Sequence, residues 1–286
     1  MGAATQAGND TGQILLAVAA GNEYAALAPL FAAPPPPERV EVGAVFPLEA
    51  NGRSLWCCVT GVGPVNAALS LGRALAMHPD IDAVCAVGLA GSYDLARAPL
   101  CSAWRVTREF WPEYGVRRPA SPVADAAALG FAQGRTATGE DIRDSLTLDS
   151  AATGHAALAA AARSLPAACG VTVAGVSGTP ERARALHGHY APLAGNLPLL
   201  ESMEGFALAL ACLRCGVPLY ALRVVSNLVG HAGLAPLARE GDAAYRAFAE
   251  ALVVLPGLVR NLLCGETHVA PQTSSGQGIA PHQRCP

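Results

Sequence analysis

Between residues 13 and 264 the chain alternates short, almost uninterrupted apolar runs with longer segments whose apolar residues recur every three to four positions. The first pattern reads as buried strand and the second as amphipathic helix. Residues 13–19 form an apolar strand, followed by a helical pattern over 23–33. Four prolines at 34–37 then enforce an extended connection. Strands at 40–48 and 55–60 flank Asn51-Gly52, a dipeptide that favours a two-residue hairpin turn. The spacing predicts a helix over 65–77 and a buried strand over 81–87 that ends in Gly88-Leu89-Ala90-Gly91. A strand at 100–108 precedes an irregular stretch, 109–149, of short strands and loops. Beyond it come a helix at 154–164, a strand at 171–176 and a helix at 180–190 with Pro180 following a Thr179 cap. A short strand at 199–202, a helix at 204–215, a strand at 219–226 and a long helix at 243–263 containing Pro256 complete the pattern.

Strands apolar on both faces, alternating with helices, belong in a sheet covered on both sides. The expected fold is therefore α/β: a single domain with a central mixed, twisted sheet flanked by helices. Residues 1–12 read as a flexible leader and 265–286, rich in Ser, Gly, Gln and Pro, as a disordered tail, leaving 13–264 as the domain. In such sheets ligands sit at the carboxyl ends of the strands.

Composition narrows the function classes. Apolar residues make up 52% of the chain and charged residues 14%, against about 25% charged in ordinary domains. The net charge of −3 and the lack of any basic run argue against a nucleic-acid or membrane-surface partner. The mean hydropathy of +0.32 comes largely from Ala. Apolar stretches are broken well before the roughly 20 residues that a membrane span requires, and residues 1–12 carry no basic segment of an export signal. Nine cysteines, mostly in apolar runs, read as buried free thiols in a reducing cytoplasm. Cys212-x-x-Cys215 has no second pair for zinc, and His187 and His189 face different sides of their helix, so no metal site is expected.

Three segments at predicted strand ends carry candidate chemistry. Thr60-Gly61-Val62-Gly63-Pro64-Val65-Asn66 follows a strand and opens a helix, so it is either a tight turn or a set of backbone N–H groups offered to an oxygen-rich ligand. Ser202-Met203-Glu204-Gly205 places a carboxylate at a strand–helix junction, where it either complements the helix dipole or serves a site. Arg223-Val224-Val225-Ser226-Asn227 puts an Arg inside an apolar strand; buried, it needs a carboxylate such as Glu204 or Glu23, or an anionic ligand. Trp104, Trp111 and Tyr114 read as packing or as an aromatic wall.

In order along residues 13–230 these segments resemble the nucleoside phosphorylase/nucleosidase superfamily, and within it the futalosine hydrolases. The first strand with Glu23, the turn at 60–68, Gly88-Leu89-Ala90-Gly91, Val176-Ser177-Gly178-Thr179, Glu201-Ser202-Met203-Glu204-Gly205 and Ser226-Asn227-Leu228-Val229-Gly230 carry the likeness. Residues 108–116 are similar to the family's aromatic and acidic stretch. Phe206 replaces the usual Ala, and His231-Ala232-Gly233-Leu234 replaces a polar continuation.

The resemblance implies cleavage of an N-glycosidic bond, releasing hypoxanthine from futalosine in alternative menaquinone biosynthesis. Glu204 would orient the ribose hydroxyls and favour the developing positive charge, with Met203 packed on the sugar. Glu23 would activate the attacking water, and Arg223 would hold Glu23 or that water. Thr60, Gly61, Gly63, Ala90, Gly91, Val176, Ser177, Gly178, Ser202 and Ser226 would shape the base and sugar pocket. Adenine-specific relatives place Asp at the position of Asn227; an amide can donate to N7 or O6 and cannot act as an acid, which suits a 6-oxopurine. A phosphorylase would need cations around phosphate, and Arg39, Arg53, Arg73 and Arg97 lie in no recognisable phosphate loop. Hydrolysis is therefore favoured over phosphorolysis, with a non-catalytic nucleoside-binding role as a third reading. Arg105, Arg108 and Arg117 are the candidate partners for an anionic substrate tail. No cofactor is implied, and a homodimer or larger homo-oligomer is expected.

Overall fold

The computed structural model describes residues 12–119, 121–148, 155–231 and 243–264. Apart from Gly12, the expected leader and tail lie outside these residues. In chain order the elements are β1 (Gln13–Val18), α1 (Gly21–Leu27), β2 (Val45–Ala50), β3 (Arg53–Val59), α2 (Pro64–Met77), β4 (Ile81–Ser92) and β5 (Ala103–Phe110). They continue with α3 (Ala126–Leu129), β6 (Gly134–Arg135), β7 (Asp141–Ile142), β8 (Ser145–Thr147), α4 (Ala156–Ser164) and β9 (Ala167–Thr172). The last are α5 (Pro180–Ala194), β10 (Leu199–Ser202), α6 (Gly205–Cys215), β11 (Leu219–Leu228) and α7 (Ala243–Cys264).

The main sheet runs β10-β9-β5-β11-β4-β1-β3-β2, and β10 also pairs with the end of β4. Five strands, β4, β11, β5, β9 and β10, thus close a ring, while β1, β3 and β2 extend it as an open wing. Parallel and antiparallel pairs coexist: β4 is parallel to β1 and β11 and antiparallel to β10. The expected mixed α/β sheet is present, and its closure into a small barrel is an addition to that expectation.

Both faces are covered, and strand periodicity decides which residue goes where. Leu16 and Val18 of β1, with Ala83, Cys85 and Val87 of β4, pack on α1, α4 and α7. Their neighbours Leu15, Ala17, Val84 and Ala86 pack on the opposite side with α2 and α6. The apolar stripe of α7 (Ala251, Leu255, Leu258, Val259 and Leu262) is buried in the first cluster. By length and apolarity alone Arg246–Cys264 of this helix would suit a membrane span, and a third of that window is buried in the protein. None of the eight cysteines among the described residues forms a disulfide, and burial pushes the Cys58 and Cys85 thiols up to about 12.

Several boundaries differ from the sequence expectation. β4 does not stop at Val87 but continues through Gly88–Gly91, because each of these residues pairs with β11 (Gly88↔Arg223 through Gly91↔Asn227). The strand expected at 171–176 instead spans Ala167–Thr172. The helix expected at 23–33 gives way after Leu27 to a 3-10 turn, Ala28–Leu30, where Pro29 has no N–H to continue the ladder. Conversely, α5 runs on past Tyr190 and through Pro192 to Ala194; buried Tyr190 and Ala194 anchor that last turn. The prolines stay extended only to Pro36, after which residues 37–39 form a 3-10 turn. The Asn51-Gly52 hairpin forms as expected, both residues having positive φ (51° and 72°).

Candidate active site

At the carboxyl ends of β1, β4, β10 and β11 lies a largely apolar cavity of about 300 Å³. Glu23, Ala90, Gly91, Val176, Ser202, Met203, Glu204, Ser226 and Asn227, all singled out from sequence, line it. Ala19, Ala20, Asn22, Val62, Leu89, Glu201 and Phe248 complete the lining. Phe248 comes from α7, and nothing in its local sequence marks it as a wall of this cavity.

Glu23 is the third residue of α1. Its Oε2 accepts hydrogen bonds from the N–H groups of Ala19 (2.9 Å) and Ala20 (3.1 Å), and its Oε1 from Leu89 (2.9 Å). The carboxylate reaches β4 because residue 88 is glycine: a Cβ there would lie 2.8 Å from Oε1. Burial raises the Glu23 pKa; the Leu89 N–H opposes this and the charge of Glu204 adds to it.

Glu204 stands at the N-cap of α6, yet its side chain makes no cap bond to that helix. Its Oε1 instead accepts from the Gly63 N–H at 2.9 Å. Gly61 and Gly63 have φ of 84° and 92°, a conformation that favours glycine and aims this N–H at the carboxylate. The glycine turn thus serves Glu204, one of the protein's own side chains. Burial raises the Glu204 pKa, opposed by the Gly63 N–H and by Arg223.

Arg223 is buried in β11, and its Nη1 donates to the carbonyls of Ala86 (3.3 Å) and Leu222 (2.9 Å). Among the described residues no ion pair joins it to Glu23, so the expected grip on that residue is not made. Its charge instead lowers the proton affinity of Glu204 and of Glu109. Arg223 lies behind the main cavity, where it lines, with Glu23 and Glu204, a recess of about 10 Å³.

Glu109 lies in a stretch to which the sequence assigned no individual role. It sits at the end of β5 inside the ring of strands and is 0% exposed. Its Oε2 accepts from Thr172 Oγ1 (2.9 Å), which in turn accepts from the Phe206 N–H (2.7 Å) at the start of α6. Among the described residues its Oε1 has no hydrogen-bond partner. Burial raises its pKa to about 7, with Arg223 opposing.

Asn227 follows a bulge in β11, where pairing with β4 skips from Val225 to Asn227. Such a bulge re-aims the side chain after it. Ser226 Oγ donates to Asn227 Oδ1 (2.9 Å), and Asn227 Nδ2 points toward the Leu228 carbonyl at 3.4 Å. Ser177 lies behind the cavity wall, where its N–H and hydroxyl both donate to Glu201 (2.8 and 2.6 Å). Thr60 ties β3 to β1 through the Val18 carbonyl (3.2 Å). Thr60, Gly61, Gly63, Ser177, Gly178 and Arg223 are absent from the described lining.

Trp104, Trp111 and Tyr114, the aromatic residues considered from sequence, are absent from the described lining. Trp111 stacks on Tyr114 and leans on Phe206, which is fully buried in that cluster outside the cavity lining. The Ala-to-Phe departure is thus absorbed by the core. Residues 232–234 of the second departure lie outside the described residues.

The family model described as the phosphorylase superfamily matches residues 13–255. The futalosine hydrolase of Thermus thermophilus is 34% identical over 208 residues, covering 72% of this chain and 80% of that protein. Among solved structures, a methylthioadenosine/S-adenosylhomocysteine nucleosidase from Neisseria meningitidis in complex with methylthio-immucillin-A superposes with a TM-score of 0.62. It has 17% identity and covers 89% of this chain and 97% of that one. A futalosine hydrolase mutant of Helicobacter pylori gives a TM-score of 0.62 at 15% identity, covering 89% and 99%. With the ordered match spanning the whole strand–helix alternation and the cavity at the strand ends, this chain belongs to the phosphorylase superfamily.

Proposed function

We propose that this protein hydrolyses the N-glycosidic bond of a 6-oxopurine nucleoside, with futalosine as substrate and hypoxanthine as the released base. The observation that carries the proposal is the charge of the cavity. Among its described lining residues are the carboxylates of Glu23, Glu201 and Glu204 and no cationic side chain. Such a volume favours an oxocarbenium-like ribose and disfavours inorganic phosphate. The 34% identical futalosine hydrolase supports the choice of substrate.

In the reaction, the bond from the anomeric carbon to N9 breaks with its electron pair leaving on the base. Glu204 holds the ribose hydroxyls and stabilises positive charge on the sugar. Glu23 takes a proton from the water that bonds to the anomeric carbon. Its raised pKa keeps it a better base than an ordinary carboxylate. Asn227 donates from Nδ2 to N7 or O6 of the departing base, which gains its proton from solvent. Water is the only co-reactant. Futalosine cleavage would place the protein in alternative menaquinone biosynthesis, in the cytoplasm. Exposed Val62, Val65 and Leu69 beside the cavity mouth support assembly into a homo-oligomer, which sedimentation equilibrium would measure.

The test is chromatographic detection of free base from futalosine, inosine, aminofutalosine and methylthioadenosine, each with and without phosphate. Hypoxanthine released from futalosine independently of phosphate is the expected result. Phosphate-dependent release from inosine would instead indicate a phosphorylase. No release from any of them would indicate a binding protein.

A further inference from the structure

Glu204 caps α6 by position but not by side chain. A helix leaves its first N–H groups without intrahelical partners, and the side chain of the N-cap residue ordinarily accepts from the second or third of them. With Glu204 at the N-cap of α6, the second is Phe206. Its N–H donates instead to Thr172 Oγ1 at 2.7 Å, and the Thr172 hydroxyl donates in turn to Glu109 Oε2 at 2.9 Å. The Glu204 carboxylate is thereby left to turn away from its own helix, toward the Gly63 N–H at 2.9 Å and the cavity. The proposed reaction gives neither Glu109 nor Thr172 a task.

The surroundings are shaped to hold this chain of groups. Glu109 lies opposite Gly170 in the register of β5 and β9, and Thr172 is two residues farther along β9. The two side chains therefore share one face, inside the ring of strands, and both residues are fully buried. A Cβ on Gly170 or on Gly205 would overlap the Glu109 carboxylate. Glycine at 205 thus makes room for Glu109 beside the first residue of α6. A hydroxyl has one proton and two lone pairs. With its proton directed to Glu109, the Thr172 hydroxyl presents a lone pair to the Phe206 N–H.

We infer that Glu109 and Thr172 are positioning residues for Glu204: together they cap α6 in its place and so keep its carboxylate aimed at Gly63 and the cavity. Only the task of Glu204 toward a substrate rests on the proposed function. Without the Thr172 hydroxyl, the Phe206 N–H is a buried donor that has lost its partner, an unfavourable state. The Glu204 side chain is the acceptor that N-cap geometry brings within reach, and the positive end of the helix dipole favours it there. It would fold back onto its own helix and release Gly63.

Amide hydrogen exchange, followed by NMR on the full chain without ligand, tests this. The Leu89 N–H, which donates to Glu23 Oε1 at 2.9 Å, is the internal reference. In Thr172→Val the Gly63 amide should exchange at least about tenfold faster relative to Leu89, the size of one hydrogen bond to a charged group. Thr172→Ser, which restores the hydroxyl, should return the wild-type ratio. Glu109→Gln keeps an oxygen for Thr172 and should also hold that ratio, whereas Glu109→Met should behave as Thr172→Val does. A general loss of stability would speed both amides together, so an unchanged ratio in Thr172→Val would overturn the inference. If Thr172→Val does not fold, the ratio in Glu109→Met decides in the same sense. Absence of base release by the wild type would count against the proposed hydrolysis, and the exchange ratio would still decide what holds Glu204 in place.

Discussion

Glu109 is a fully buried carboxyl with one oxygen partnered by Thr172 and the other by nothing among the described residues. Burial moves its pKa from the usual 4.5 to about 7. That displacement corresponds to about 3 kcal/mol against the ionised form. Because the native state keeps the proton where the unfolded chain has lost it, stability falls as pH rises from about 4.5 to about 7 and then levels. Glu109→Gln cannot titrate, so its stability relative to wild type should climb by about 3 kcal/mol across that window. A constant offset of about 1–3 kcal/mol accompanies the substitution, since the amide nitrogen inherits an unpartnered position. The readout is therefore the slope with pH and not the absolute difference. Glu23 and Glu204 titrate in both proteins and largely cancel. Urea unfolding of both proteins at pH 4.5 to 8 would measure it, with the Glu109→Gln midpoint rising by about 1 M relative to wild type at unchanged m. A midpoint difference that stays constant over the range would refute the reasoning and mean that Glu109 is ionised, paired more closely with Arg223 than the geometry indicates.

Other substitutions test the site. Glu204→Gln should abolish base release while leaving the unfolding transition in place; near-normal turnover would remove Glu204 from the mechanism. Asn227→Asp should shift the ratio of kcat/KM toward 6-aminopurine nucleosides, and an unchanged ratio would mean that base choice lies elsewhere. Gly205→Ala would put a Cβ 2.0 Å from Glu109 Oε1. It should cost about 1–3 kcal/mol by overpacking, part of which Glu109→Asp in the same chain should restore. Denaturation of the single and double variants would show an additive cost if that contact is not the cause.

The positions that sequence reasoning located best are those whose chemistry conflicts with their surroundings. Glu204 beside Gly205, Arg223 in an apolar strand and Asn227 at its end stand out against a chain with few charges. Glu109 is as deeply buried as any of them, yet no such conflict marks it in the sequence. In sequence it follows Arg108 directly, and two adjacent charged residues read as the solvent-facing end of a strand. Only the pairing of β5 with β9 and β11 places that carboxyl inside the ring.

The alternation of two periods along the chain was enough to determine an α/β fold with a sheet covered on both faces, because burying both faces of a strand demands apolar residues at every position. It also determined the Asn51-Gly52 hairpin and the start of α5 at Thr179-Pro180, since these depend on local backbone preferences. What only the tertiary structure decided are the features made by pairing between distant segments. Gly88–Gly91 looked like a strand end because glycines have weak strand propensity, and they became strand because β11 hydrogen-bonds to each of them. The return of β10 to β4 closes the ring and sets Glu201 against Gly91, 110 positions away in the chain. The Gly63 N–H is spent on Glu204 and not on a ligand, and Arg223 moderates Glu109 and Glu204 and not Glu23. Hydrogen-bond partners and buried charges act over a few ångströms in space, and a local pattern carries no record of which distant residue will occupy that space.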